Sequence, residues 1–465
     1  MAPPEWVSGS IFYQIFPDRF ENGDTTNDPV NVQPWGSKPT SWGFQGGDLQ
    51  GIYNRFDYLL DLGINAIYLN PIFLSTSNHR YNTTDYYKID PRLGDISDFK
   101  KLIDHAHRHG VRVILDGVFN HCGRSFFAFA DVLENREHSP YRDWFHILRF
   151  PVDAFSLGDA KDYLAWWRIK SLPKFNTSNP DVRRYLFGVA RYWIEQGADG
   201  WRLDVPNEID DDEFWAEFRH VVTSINREAY LLGEIWKPEP RWVGEQHFDG
   251  LMNYPLRECI LNIVDPGGLD IAHCMTMLDT VSHLYPAQYT KAMYNLLGSH
   301  DTERALFICS EDKLSLKLAY LLLFAYPGVP AIYYGDEIGL SGGRDPECRA
   351  AFPWDETEWD HSLRDYVKNL ILHRKRLPAL RRGEYRHILS DHIGRCLAFA
   401  RVFADQSILI AINASNVRRD MVLPVADIGW SDGQILRDVL GAEECRVNGD
   451  AVLINLPPMS GVWLA

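Results

Sequence analysis

Short apolar runs of β type recur along most of the chain, at residues 10–16, 64–69, 111–116, 199–204, 230–234, 248–252, 293–297 and 330–334. Amphipathic stretches with a helical period, such as 96–109, 182–196 and 211–227, fall between them. Strand and helix patterns in alternation are the mark of a parallel α/β fold, and eight such strands are the count for a closed (β/α)₈ barrel.

Two places break the rhythm. Residues 121–178 form a segment rich in Phe, Trp and His after the third strand, far longer than an ordinary βα loop. From residue 384 the pattern changes to alternating strands, HILSDHIGRCLAFARVF, SILIAINAS, AVLINL and GVWLA, punctuated by Asn and Gly. The expected organisation is therefore a TIM barrel of residues 1–120 and 179–383, an inserted domain at 121–178, and a C-terminal antiparallel β-sandwich at 384–465. No internal repeat or low-complexity tract is seen.

In such a barrel catalytic side chains project from the C-terminal ends of strands. Four strand ends carry polar residues: Asp116, Asn120 and His121 after the third, Arg202 and Asp204 on the fourth, Glu234 on the fifth, His300 and Asp301 after the seventh. A single Asp at a strand end is usually a helix cap, and Asp211 and Asp212 fit that reading. Four carboxylates, two histidines and an arginine at one barrel mouth do not. A glycosidic bond needs one carboxylate to attack or stabilise the anomeric centre and one protonated carboxyl to release the leaving oxygen. Two such groups close together push their pKa values apart, giving one acid and one base. Arg202, two residues before Asp204 on an extended strand, points to the same side and can hold that carboxylate ionised.

Composition narrows the partners. Hydrophobic residues make up 45% of the chain and charged residues 24%, as in an ordinary globular protein. A net charge of -16 argues against nucleic acid or an anionic membrane as partner. The 15 Trp are expected mainly in the core, although aromatic faces also stack on pyranose rings. The N-terminus, MAPPEWVSGSIFYQIF, lacks a basic region followed by an apolar one, and runs such as 317–326 are too short to span a bilayer. Seven scattered cysteines without metal-type pairs fit a reducing compartment, so a cytoplasmic protein is expected.

The stretches DGVFNH (116–121), GWRLDVPNE (200–208), GEIW (233–236) and GSHDTE (298–303) resemble the four signature regions of the α-amylase family, glycoside hydrolase family 13. They come in the family's order, and the similarity runs from about residue 8 to the end. The resemblance implies a retaining α-glucan hydrolase with Asp204 as nucleophile, Glu234 as general acid/base and Asp301 as a third carboxylate on sugar hydroxyls. It also implies that Asp116, His121, Arg202 and His300 line the same subsite, and that Tyr81 in NHRYNTTDYY is the stacking platform beneath the reacting sugar.

LPKFN (172–176) resembles the MPKLN signature of the neopullulanase, cyclomaltodextrinase and maltogenic amylase group, rather than the QPDLN of the oligo-1,6-glucosidases. GGRDPECRAAFPWD (342–355) resembles the same group, implying that Asp345 and Arg349 clamp a donor-side sugar and that Trp236 meets the acceptor. Two departures keep questions open. The group's VANE is here Val205-Pro206-Asn207-Glu208, which leaves the choice between α-1,4 and α-1,6 bonds undecided. Its classical members also carry an N-terminal β domain that builds a dimer and narrows the site. This chain enters its first strand near residue 10, so oligomeric state and cyclic-substrate preference stay undetermined.

ENGDTTNDP (21–29) and GGD (46–48) supply closely spaced oxygens of the kind a hard cation binds. They resemble a calcium loop of related enzymes, implicating Asn22, Asp24, Asn27, Asp28, Gly46 and Asp48 in a structural Ca²⁺ site; an Asx-rich turn without an ion is the alternative. The expected activity is hydrolysis of maltooligosaccharides, cyclodextrins and pullulan through a covalent glycosyl-enzyme intermediate. A glucanotransferase or trehalose synthase would use the same intermediate, and a non-catalytic barrel would have lost carboxylates that this chain keeps.

Overall fold

The computed structural model describes residues 2–265 and 271–465. Eight parallel strands form one sheet: β1 (Phe12–Ile15), β2 (Ala66–Leu69), β3 (Arg112–Gly117), β4 (Gly200–Leu203), β5 (Tyr230–Gly233), β6 (Gly250–Leu251), β7 (Tyr294–Leu296) and β8 (Val329–Tyr333). Hydrogen bonding runs β6-β5-β4-β3-β2-β1-β8-β7, and a parallel bridge from Met252 to Tyr294 joins the two ends into a barrel. Each predicted run overlaps one of these strands, two of them offset by one residue at an end.

Side-chain alternation decides what reaches the barrel mouth. Phe12, Tyr68, Ile114, Leu232 and Tyr294 pack with one another in the barrel interior, whereas Tyr13, Ile67, Val113 and Leu231 belong to the cluster beneath the helices. Two residues further along the same inward rows come Gln14, Asn70, Asp116 and Glu234. Polarity therefore begins where the apolar plug stops.

The surrounding helices start where their caps dictate. α1 (Ile96–Arg108) opens on a capping box between Asp95 and Asp98, α2 (Pro180–Glu195) on Asn179 with proline at its first position, and α3 (Asp212–Ile225) on Asp211, whose side chain accepts from Phe214 N. Among the described residues no helix is long and apolar enough to cross a membrane.

Several elements escaped the hydrophobic pattern, among them the strands Arg419–Pro424, Ile435–Arg437 and Glu444–Asn448 and one hairpin beside the barrel. After β2 the chain forms an antiparallel hairpin, Phe73–Ser75 with Thr83–Ile89, whose register shifts twice. Its turn holds Asn78, His79, Arg80 and Tyr81, and Arg80 is anchored to Asp90 at 2.9 Å with both side chains buried. The segment 121–178 has short helices and isolated antiparallel bridges, His121 to Lys174 and Ala165 to Pro173 among them.

Beyond residue 384 two four-stranded antiparallel sheets follow. One contains β9 (Glu384–Asp391), β10 (Cys396–Phe403), β11 (Gln406–Asn413) and β16 (Ser460–Leu464); the other contains β12 (Arg419–Pro424), β13 (Ile435–Arg437), β14 (Glu444–Asn448) and β15 (Ala451–Leu456). A separate apolar cluster, including Leu409, Met421, Leu436, Val452 and Leu464, lies between them. Arg401 on β10 donates to the Ala325 carbonyl at 2.6 Å, fastening this unit to the barrel.

Candidate active site

Arg202 is fully buried and gathers the site around it. Its Nη1 lies 3.0 Å from Asp116 Oδ1 and 3.1 Å from Asp204 Oδ1, while Nη2 lies 3.0 Å from Glu234 Oε1. Nη1 is aligned to donate to Asp116 and Asp204; Nη2 has no aligned acceptor. Three carboxyls on one guanidinium carry more negative charge than it can neutralise. Burial first, and then the Glu234 charge, drive Asp204 well above the usual aspartate range, against the pull of Arg202. Burial also pushes Glu234 up to about 7. Glu234 accepts from Val205 N at 3.0 Å and from Trp236 Nε1 at 3.2 Å.

A second network fixes the floor. Asp116 Oδ2 accepts from Tyr68 Oη at 2.5 Å and Tyr81 Oη at 2.7 Å. Gln14 Nε2 donates to Asn70 Oδ1 at 3.0 Å and faces His300 Nδ1 at 2.9 Å, so that ring nitrogen must accept. The His300 proton is then on Nε2, 2.6 Å from Tyr81 Oη and 3.1 Å from Asp301 Oδ2. Burial, then the Arg349 charge, holds His300 well below the ordinary histidine range, and burial takes His121 down to about 3, so both rings are neutral at pH 7. The Tyr81 and His300 rings are parallel within 2° at 5.3 Å.

Asp301 stands at the mouth, 3.5 Å from Arg349 Nη2, and Arg349 Nη1 lies 3.2 Å from Asp345. On the opposite side Trp236 is half exposed and stacks on Tyr254 at 3.7 Å and 6°. The sequence-predicted residues Tyr81, Asp116, His121, Arg202, Asp204, Glu234, Trp236, His300, Asp301, Asp345 and Arg349 therefore share one cleft.

Sequence reasoning missed Gln14, Tyr68, Asn70, Tyr254 and Trp166. The first three follow the inward parity of β1 and β2, a signal available once the strands are phased. Trp166, whose ring stacks on His121 at 5.4 Å, comes from the inserted segment and has no periodic signal.

Within the loop at 21–48, the candidate calcium residues bond mainly to one another and to the adjoining backbone. Asp48 accepts from Gly23 N, Asp24 N, Gly51 N and Asn27 Nδ2, and Asn22 Nδ2 donates to Asp28 at 2.9 Å. Asp24 turns its carboxylate to Thr26. The oxygens Asn22 Oδ1 and Asn27 Oδ1 are buried without a hydrogen-bond partner. At Gly46, with φ +85°, a Cβ would come within 2.4 Å of Asp28 Oδ1. Among the described residues no group of three or more His, Cys, Asp or Glu forms a metal cluster, so any ion here would need amide and backbone oxygens beside the carboxylates of Asp28 and Asp48.

Residues 14–381 match the family model of the α-amylase catalytic domain. A cyclomaltodextrinase of Geobacillus thermopakistaniensis (strain MAS1) is 43% identical over 464 residues, which is 99% of this chain and 78% of that protein. Among solved structures, the cyclic α-maltosyl-(1→6)-maltose hydrolase from Arthrobacter globiformis, in complex with cyclic α-maltosyl-(1→6)-maltose, is 38% identical, with a TM-score of 0.90 and all of both chains covered. The native form of the Nostoc punctiforme debranching enzyme is 40% identical, with a TM-score of 0.91, covering 100% of this chain and 99% of that one.

Proposed function

From the premise that this chain belongs to the α-amylase family and hydrolyses α-glucosidic bonds, we propose that it is a retaining enzyme acting on short linear or cyclic α-glucans. Maltooligosaccharides, cyclodextrins and pullulan are its expected substrates, cleaved at α-1,4 bonds. The observation that carries the mechanism is the unequal grip of Arg202. Asp204 receives an aligned, charge-assisted hydrogen bond, whereas Glu234 receives only neutral donors and a misaligned nitrogen. Burial raises both carboxyls, and the aligned Arg202 bond, which of the two only Asp204 receives, is the ground for assigning the charge to Asp204 and the proton to Glu234.

The ionised Asp204 attacks the anomeric carbon, the bond from that carbon to the leaving oxygen breaks, and Glu234 delivers its proton to that oxygen. Glu234, now a carboxylate, takes a proton from water as the water oxygen attacks the same carbon and frees Asp204. Asp301 and Arg349 grip sugar hydroxyls on the donor side, and Trp236 over Tyr254 meets the acceptor ring. Asp116 acts through others: it holds Tyr81 and Arg202 in place.

A structural Ca²⁺ held by Asn22, Asn27, Asp28, Asp48 and the Gly46 carbonyl is part of this reading, with Asp24 on its edge. The two unpartnered amide oxygens support it, since a buried acceptor left unsatisfied is costly and a hard cation would satisfy both. A cytoplasmic location is also proposed, on the ground that the seven cysteines are scattered along the sequence without the pairing of a disulfide framework.

The deciding experiment is incubation with maltotriose, β-cyclodextrin, pullulan and trehalose, followed by product chromatography and NMR of fresh product. Shortened α-glucans whose new reducing ends appear first as the α-anomer are expected. Longer products in place of shorter ones would identify a transferase, and first-formed β-anomer would overturn retention. Equal kcat/KM on amylose and β-cyclodextrin would overturn the preference for small substrates.

A further inference from the structure

The inserted segment carries an aromatic stack that the reaction itself does not use. Its inner ring is His121, on the floor of the cleft. Trp166 stacks on His121 at 5.4 Å and 22°, and Trp167 stacks on Trp166 at 4.6 Å and 8°. Both faces of Trp166 are thereby taken, and the outer face of Trp167, a residue 76% exposed, is open to solvent. Solvent alone is a poor reason to hold an indole there.

The presentation is built. The turn is closed by Trp166 N donating to Leu172 O at 3.0 Å and Ile169 N donating to Trp166 O at 2.9 Å. Its base is the Ala165 to Pro173 bridge, next to the bridge from His121 to Lys174. Trp167 has φ 47° and ψ 26°, and Arg168 follows at φ 62°. Left-handed backbone is unfavourable for a bulky side chain, so this turn keeps a local strain in order to aim the ring. A ring already fixed by stacking loses little freedom when a ligand covers it.

We propose that Trp167 is a stacking platform for a glucose unit of the substrate beyond those at the reacting bond, and that it sets preference for substrate length. The apolar C–H face of a pyranose matches the open indole face, and the stack is continuous with the cleft floor through His121. The inference rests on the α-glucan reading above.

The test is kcat/KM on maltotriose and on maltoheptaose for wild type, Trp167→Ala and Trp167→Phe. Trp167→Ala is expected to lose about tenfold on maltoheptaose and less than twofold on maltotriose, and Trp167→Phe to recover most of the loss. Equal loss on both substrates, no loss on either, or a change of oligomeric state with unchanged kinetics would overturn the platform. If wild type hydrolyses neither, the functional reading fails, and calorimetric titration of β-cyclodextrin into wild type and Trp167→Ala judges the platform alone. Weaker binding by Trp167→Ala supports it, and equal or absent binding in both proteins rejects it.

Discussion

Lys174 Nζ donates to the backbone carbonyl of Glu208 at 2.6 Å and lies 3.4 Å from its carboxylate. The central lysine of LPKFN thus ties the inserted segment to the turn that follows Asp204. That turn begins at Val205, which has φ +35° and whose N–H donates to Glu234. The contact connects two motifs that the sequence presents as independent.

Lys174→Met should therefore lower kcat/KM about tenfold, because a small displacement of Val205 misaligns Glu234. The melting temperature should move by no more than about 2 °C, since the pair is partly exposed. Steady-state kinetics and a thermal melt check both, and an unchanged kcat/KM would show that the tie has no bearing on the chemistry.

Asp204→Asn and Glu234→Gln should each cut kcat by about three orders of magnitude or more with the fold intact. Circular dichroism controls for folding. Residual activity in Asp204→Asn above about a tenth of wild type would remove it from the nucleophile's role.

Activity should fall as pH rises through about 7, because Glu234 must be protonated to act as an acid. Stability follows the same group. Its folded pKa lies above the ordinary glutamate value, so its contribution is full below about 4.5 and is lost as pH rises through about 7. Glu234→Gln should accordingly melt higher than wild type at pH 8, by about 2 °C or more, with little difference at pH 4. The same melting difference at both pH values would contradict this titration.

Chelation should lower the melting temperature by several degrees, since an ion bound only by the folded state stabilises it by mass action. Added Ca²⁺ should restore it, and Asp28→Ala should abolish the response. A melting curve that chelator leaves unchanged would refute the site.

Strand positions were readable because strand and helix periods differ, and eight of the eleven cleft residues because the signature motifs fall at or just after strand ends; Tyr81, Asp345 and Arg349 were named only through the resemblance of their loops. The hairpin at 73–89 was not. Its register slips twice, so its apolar residues do not alternate cleanly. Gln14 shows a different limit: a lone Gln at the end of an apolar strand looks like an ordinary polar terminus, and its role as the partner that fixes the His300 tautomer exists only across two strands. Trp166 and Trp167 follow no period, because their placement comes from the turn between Ala165 and Pro173.

The bridge between Met252 and Tyr294 has a bearing on solubility as well as shape. A sheet closed on itself offers no free backbone row on which another chain could add, so the barrel cannot seed fibrous growth through its strands. Rows not closed in this way occur in the two C-terminal sheets and in the two-stranded hairpin at 73–89. Along β9, an outer strand of one C-terminal sheet, stand Glu384, Arg386, His387 and Asp391. Such charged and polar side chains discourage a second molecule from docking strand to strand. In the C-terminal unit that protection stands on sheets with an apolar core of their own.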